Sequence, residues 1–286
     1  MITSISVSNH RGVCDTVELS VPSSDGPVIR SPIVAGRTSF VSAVTFMTDH
    51  LREPHAQFDP MPYVPNRLGG VGKPAKFSVG MELDVDGKRR DAVYDLSFDD
   101  GGIIDESLRI GRRRVFDRSE GVGMKKDILK RTSERSAYLS MASLFNDKEC
   151  TRVYRDIRGI RTVSMSDTDP TSALMEMDAH PETKDTVCGW LGGMGIEIAW
   201  VVMKYGRGFE LRVGHGDYVL DWSAESGRFR RMLPCMPAMA DVFLKGGILL
   251  VDDYGMGMDD DTVSMMEGWF SGCSSGGRMV AFTGWS

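Results

Sequence analysis

Gly36, Arg37 and Thr38 close a segment that runs from the apolar triplet at Val28 through a turn into a helical pattern starting near Thr38. This is the layout of a phosphate-binding loop: glycine lets backbone N–H groups approach an oxyanion, a cation neutralises it, and a hydroxyl holds magnesium. The usual spacing is G-x-x-x-x-G-K-[ST]. Here Ser31 stands at the first glycine and Arg37 at the lysine, while Gly36 and Thr38 are kept. The exchange at Arg37 matters, because a planar guanidinium is bulkier than an ammonium and cannot occupy the same point between phosphates. Taken alone, the segment also reads as a plain strand-turn-helix.

A second candidate is the run Gly246 to Asp261, in which an apolar strand ends in Asp252 and Asp253 and passes into a glycine- and methionine-rich turn. Strand ends of α/β sheets open onto the ligand crevice, so two carboxylates there suit a magnesium-side acid and a neighbouring catalytic acid. The bland alternative is a buried strand leading into an acidic turn. Arg109, Arg112, Arg113, Arg114 and Arg118 form a basic cluster, and Arg152, Arg155, Arg158 and Arg161 recur at intervals of three. They suit either nucleic-acid phosphates or a solvated surface balanced by carboxylates. Asp49, His50, Glu53 and His55 carry metal-type side chains, but nothing in their spacing fixes a geometry and a surface role is expected. Met256, Met258, Met265, Met266, Trp269 and Phe270 suit core packing or an exposed partner face.

The elements that must position these groups follow from periodicity. Alternation at Ile2, Ile5, Val7 and then Val17, Leu19, Val21 predicts two strands turning at His10-Arg11-Gly12. Pro27 to Ile29 reads as a short strand and Thr38 to Leu51 as a helix. The proline- and glycine-rich stretch 53–74 predicts a surface loop. Lys76 to Val85 and Ala92 to Phe98 predict a hairpin turning at Asp86-Gly87. Lys125 to Asn146 reads as helix, opening a helical lobe. Strands are expected at Ile196 to Met203, Phe209 to Val213, the buried run at Ile248 to Asp253, and Arg278 to Thr283, with a helix over Phe229 to Leu244. The pattern predicts an α/β sheet whose first and last portions meet, with the strands ending at Ile29 and Asp253 side by side.

With 286 residues, 34 Lys and Arg against 40 Asp and Glu, a net charge of −6 and 41% hydrophobic residues, disorder is excluded. Five scattered cysteines without a C-x-x-C pair support neither a disulfide framework nor a cysteine zinc site. No apolar run approaches the roughly 20 residues of a membrane helix, and the alternating start at Met1 is unlike a signal peptide. A cytoplasmic location and no membrane partner are expected.

The order of these segments carries more than any one of them. Ile2, Ile5, Val7, Asn9, His10, Arg11, Gly12 and Val13 precede the loop ending Gly36-Arg37-Thr38. Tyr94 to Phe98, Glu106 to Leu108 and Val115 to Arg118 follow, then Ala224-Glu225-Ser226-Gly227-Arg228-Phe229-Arg230 some twenty residues before the strand ending Asp252-Asp253, and finally Phe282 to Ser286. Over nearly its whole length this string resembles the ABC-type ATPase heads of the AAA family that includes the OLD-like and abortive-infection ATPases, relatives of recombination and chromosome-maintenance heads. The resemblance implies an ABC-type P-loop ATPase head of α/β class, with a β-rich N-terminal lobe and a helical insertion near 120–185, spanning 1–286 as one domain. Heads of this kind generally continue with a further helix and strand.

The resemblance further implies ATP and magnesium as ligands. Ser31, Gly36, Arg37 and Thr38 would face the nucleotide, Thr38 and Asp252 the metal, and Ser226 with Gly227 the nucleotide of an opposite head. Every catalytic position departs from the family pattern: Arg37 stands for the lysine, Asp253 for the catalytic glutamate, Trp285 for the switch histidine, and the Glu225-Ser226-Gly227 signature is shortened. Shortening glutamate to aspartate withdraws its carboxylate by one bond, and misplacement of about 1 Å can cost about 10²-fold in rate. Trp offers one indole donor in place of the histidine. The expectation is a degenerate ATP-binding protein with weak or no hydrolysis, a regulatory or scaffolding subunit in bacterial phage defence or DNA transactions. The alternatives are a slow active ATPase and a nucleic-acid-binding module. A homodimer or a heterodimer with an intact ATPase is expected through Gly36 to Thr38, Ser226-Gly227 and Met256 to Asp261, with an effector nuclease or toxin as a further partner.

Overall fold

The computed structural model describes residues 1–22, 25–33, 36–52, 63–66, 72–202 and 209–283. The alternating start forms β1 (Ile2–Ser8), which buries Ile2, Ile5 and Val7, and β2 (Val17–Ser20), which buries Leu19. β3 (Val28–Arg30) leads through the loop to α1 (Arg37–Arg52), whose buried stripe is Phe40, Val41, Val44, Met47 and Leu51. β4 (Ala75–Val85) and β5 (Lys88–Asp99) join at Asp86-Gly87. Both turn residues have positive φ, 53° and 75°, as a two-residue hairpin turn requires. Most of the expected 53–74 loop lies outside the described residues.

β6 (Gly102–Ile110) and β7 (Arg113–Asp117) extend the sheet to six antiparallel strands in the order β2-β1-β4-β5-β6-β7. The single helix expected over Lys125 to Asn146 is instead α2 (Lys126–Leu129) and α3 (Tyr138–Leu144), followed by α4 (Lys148–Arg158). The break between them is tertiary in origin. Arg118 donates to the carbonyls of Ser133 and Ser136 at 3.1 Å each, and Glu134 O accepts the N–H of Ile103 at 2.9 Å, so those carbonyls are bound outside any helix.

The contacts divide the chain into two units, Met1–Asp25 with Ser31–Ile160, and Gly26–Arg30 with Arg161–Ser286. The second holds β8 (Ile160–Ser164), α5 (Thr171–Ala179), α6 (Pro181–Gly193), β9 (Ile196–Val202), β10 (Phe209–His215), β11 (Tyr218–Asp221), α7 (Gly227–Met232), α8 (Met236–Lys245), β12 (Ile248–Tyr254), α9 (Asp260–Ser271) and β13 (Arg278–Thr283). One sheet has the order β11-β10-β9 and the other β3-β13-β12-β8. In the latter, β3 and β12 are not side by side as the sequence suggested: β13 lies between them, parallel to both. Its run Met279, Val280, Ala281 and Phe282 is wholly buried, which suits the centre of a sheet better than an edge. The core of this unit packs Leu249, Val251, Met279 and Ala281 against Met236, Met239 and Val242 of α8 and Met266 and Phe270 of α9. The apolar C-terminal residues are therefore largely core, and of the methionines singled out Met256 is exposed.

Candidate phosphate site and signature turn

β3, β13 and β12 run parallel, so their C-terminal ends share one edge of the sheet, the edge at which open parallel sheets receive ligands. From that edge Ser31 begins the loop, its Oγ accepting the N–H of Ile33 at 3.1 Å. Gly36 has φ +72° and lies exposed, and its carbonyl receives the N–H of Phe40 at 2.8 Å, which starts α1. Only a residue tolerant of the left-handed region makes this entry cheaply. Thr38 is exposed and Arg37 half-buried in a first turn that carries no acidic residue, the polarity an anion prefers at a helix start.

Asp252 and Asp253 end β12 differently. Asp252 is 2% exposed, and its Oδ1 accepts the N–H of Asp253 at 3.0 Å while its carbonyl accepts that of Met165 at 3.0 Å. Asp253 has φ +53°, and the register of β12 on β13 shifts between Val251 and Tyr254. The bulge thus turns Asp253 out of the ladder at the position expected to act on water. The chain continues through two tight turns, Met256 N–H to Asp253 O and Met258 N–H to Gly255 O, into α9. Asp259 caps α9, accepting the N–H of Thr262 at 2.8 Å; this bond, then the Thr262 hydroxyl and Arg228, holds its carboxyl below the usual range.

Ser226 is the N-cap of α7, its Oγ accepting the N–H of Phe229 at 3.2 Å, and Ser226 and Gly227 are both exposed. Beneath them Glu225 is buried. Its Oε1 lies 2.6 Å from Nε2 of His215 and its Oε2 accepts the N–H of Ser226 at 3.1 Å. Arg228 binds Asp259 and, at 3.3 Å, Thr262, so the Ser226-Gly227 turn and the Met256 to Asp261 turn are brought together. His215 escapes a motif search, and although Glu225 and Arg228 stand in the signature string, their partners His215, Asp259 and Thr262 lie outside it. Trp285 lies outside the described residues.

The basic cluster is largely spent on carboxylates: Arg113 pairs with Glu149, Arg114 with Asp117 at 3.1 Å and Glu120 at 2.5 Å, and Arg118 with buried Glu106 at 3.6 Å. Arg161 bridges Glu176 at 2.7 Å and Asp241 at 3.0 Å. Arg152, Arg155 and Arg158 form a solvated face of α4. Asp49 faces Arg52 at 3.6 Å, Glu53 and His55 lie outside the described residues, and among the described residues no group of three metal-type side chains assembles. No helix there is long and apolar enough to cross a membrane.

Comparison with protein-family models and with curated proteins gives no match. Among solved structures, the chain is similar to an SMC head bound to the C-winged helix domain of ScpA, with a TM-score of 0.50 and 13% identity over 99% of this chain and 89% of that one. The fold is that of an ABC-type ATPase head. A similar structure is the SMC head domain from Thermotoga maritima, with a TM-score of 0.45 and 11% identity over 99% and 88% of the two chains. Another is a Pyrococcus furiosus Smc head with an extended coiled coil, bound to the C-terminal domain of ScpA, with a TM-score of 0.47 and 12% identity over 99% and 89%.

Proposed function

We propose that this ABC-type head is a degenerate relative of the OLD-like and abortive-infection ATPases, which binds magnesium–ATP, turns it over weakly or not at all, and serves as a regulatory or scaffolding subunit in bacterial phage defence or a DNA transaction. What carries the reading is Asp253, a carboxylate one bond shorter than glutamate, set on a left-handed bulge at the end of β12. The residues present suit the phosphate half of a magnesium–nucleotide. The turn bearing Thr38 is open, and Asp252 offers a hard oxygen at the ligand edge of the sheet. The family resemblance assigns Thr38 and Asp252 to the metal, which would screen phosphate charge when bound, and Ser31, Gly36 and Arg37 to the phosphates. The same residues do not suit fast hydrolysis, since a carboxylate withdrawn by about 1 Å loses about 10²-fold in rate.

In such a head a nucleotide lies between the loop of one protomer and Ser226-Gly227 of the other, so a head with a failed active site still supports a partner. The protein works as a dimer, with itself or with an intact ATPase, and hands its state to an effector nuclease or toxin. The ion pairing of Arg113, Arg114 and Arg118 argues against the nucleic-acid alternative. A magnesium–ATP titration with a steady-state phosphate-release assay tests the reading: saturable binding without appreciable turnover is expected. Robust turnover abolished by Asp253→Asn would establish the active-ATPase alternative instead.

A further inference from the structure

His215 is the last residue of β10, and the Gly216-Asp217 turn that follows it sets Tyr218 of β11 opposite it in the ladder. Its imidazole stacks on the Tyr218 ring, with centroids 5.2 Å apart and planes 21° from parallel, and meets Phe229 of α7 edge-on at 6.4 Å. Its ladder partner on β9 is the apolar Ile196. The other charged residues of these strands, Glu197, Glu210, Arg212 and Asp221, stand in the opposite phase of the ladder, and Asp217 sits in the turn. On α7, Arg228 is bound to Asp259, Arg230 lies over Trp222 at 5.9 Å, and Arg231 lies against Gly257. Among the described residues, Glu225 is the carboxylate within ion-pair distance of His215, and His215 the cationic side chain within that distance of Glu225. The carboxylate is buried and divided: Oε1 lies 2.6 Å from Nε2 of His215, while Oε2 accepts the N–H of Ser226 at 3.1 Å. One titratable ring is thereby joined, through a single side chain, to the backbone of the Ser226-Gly227 turn. A neutral His215 with its proton on Nε2 donates a hydrogen bond to Oε1. A protonated one donates the same bond with a full charge, about twice as strong, and the buried carboxylate gains its counter-ion.

We infer that His215 is a positioning residue for the Ser226-Gly227 turn, acting through Glu225, and that its protonation tightens the turn as the medium is acidified. Holding Oε1 more firmly fixes the carboxylate that grips Ser226 N–H, immediately before the hydroxyl that caps α7. That the turn serves assembly rests on the function proposed above; the brace itself rests on the geometry of His215, Glu225 and Ser226.

Two measurements on the full chain test this. In the first, without nucleotide, NMR follows the His215 ring and the Ser226 amide from about pH 8 to about pH 5.5, the range in which histidine changes charge. The Ser226 amide is expected to shift with the same midpoint as the ring in the wild type. That shift should vanish in His215→Gln, which keeps a neutral donor, and in Glu225→Gln; if Glu225→Gln fails to fold, His215→Gln decides alone. A Ser226 amide that ignores the His215 titration, or follows it unchanged in Glu225→Gln, overturns the inference. In the second, light scattering with magnesium–ATP gives the strength of the dimer at both pH limits. The wild type is expected to associate about tenfold more tightly at the lower limit, and His215→Gln equally at both. Equal wild-type strength at both limits, or a pH dependence retained in His215→Gln, overturns the role of protonation in assembly. A wild type that forms no dimer at either limit counts against the function proposed above, and the NMR titration then decides the brace.

Discussion

The carboxylate of Glu106 accepts the backbone N–H of Tyr138 at 2.6 Å inside the first unit, where neither group meets water. Its other oxygen accepts the N–H of Leu139 at 2.8 Å and the Tyr94 hydroxyl at 3.0 Å, and Arg118 lies 3.6 Å away. One side chain therefore ties β6 to β5, to Arg118 just after β7, and to the start of α3. Glu106→Ala strands two buried N–H groups, each costing about 1–3 kcal/mol when unpaired. We expect a loss of about 3 kcal/mol or more in urea unfolding, with the Arg118→Ala penalty much reduced in the double variant because the two residues share one network.

Glu106 also explains what the sequence concealed. In β6 the core-facing positions are Ile103, Glu106, Leu108 and Ile110, so a charged residue occupies the inward phase and masks the alternation of a strand. The arginines around Gly111 then read as a basic cluster although they flank a β-turn, and β6 and β7 pass unnoticed. The broken helix near Ser133 and the placement of β13 between β3 and β12 depend on Arg118 and on strand order, and neither leaves a local trace. Segments whose periodicity matches their burial, such as β1, α1, β4, β12 and β13, were legible. So was the glycine at the entry to α1. The lacing of the two turns by Arg228 was not, because it is made by a long side chain across about thirty residues.

His10 gives a pH prediction. It is fully buried among Phe46, Phe77 and Tyr63, with ring centroids 5.0, 5.8 and 6.0 Å away, and neither ring nitrogen has a hydrogen-bond partner among the described residues. Burial first, and the neighbouring Arg11 second, push its pKa down from 6.5 to about 4. The unfolded chain therefore takes up the proton before the folded one. The stability His10 permits is complete above about pH 6.5 and is lost as pH falls toward about 4, at about 1.4 kcal/mol per pH unit. Unfolding curves of the wild type and His10→Phe from pH 7 to 4 should converge or cross by that slope; parallel curves would show that His10 is protonated without penalty.

Two glycines predict opposite signs. Gly123 has φ +69°, and a Cβ there would lie 1.9 Å from the carbonyl oxygen of Val115, so Gly123→Ala should cost about 2 kcal/mol or more. Gly189 sits exposed within α6 with nothing within 4 Å of a new Cβ. Gly189→Ala should gain about 0.5–1 kcal/mol by helix propensity. Thermal midpoints moving in opposite directions are the expected result; a shared direction would contradict the local geometry.

Ser226 separates stability from assembly. Its hydroxyl caps α7 through Phe229 N–H, and replacement by Ala should cost about 1 kcal/mol, whereas Asp keeps an acceptor at the cap and should leave stability nearly unchanged. Ser226→Asp nonetheless places a negative charge at the turn proposed to receive the phosphates of the opposite head, where like charges repel. Light scattering with and without magnesium–ATP should therefore show a dimer for the wild type and for Ser226→Ala, and loss of that dimer for Ser226→Asp at an unchanged thermal midpoint. A wild type that stays monomeric under both conditions excludes the homodimer and directs the search to an intact ATPase as partner. A Ser226→Asp dimer of wild-type strength places the interface elsewhere on the head.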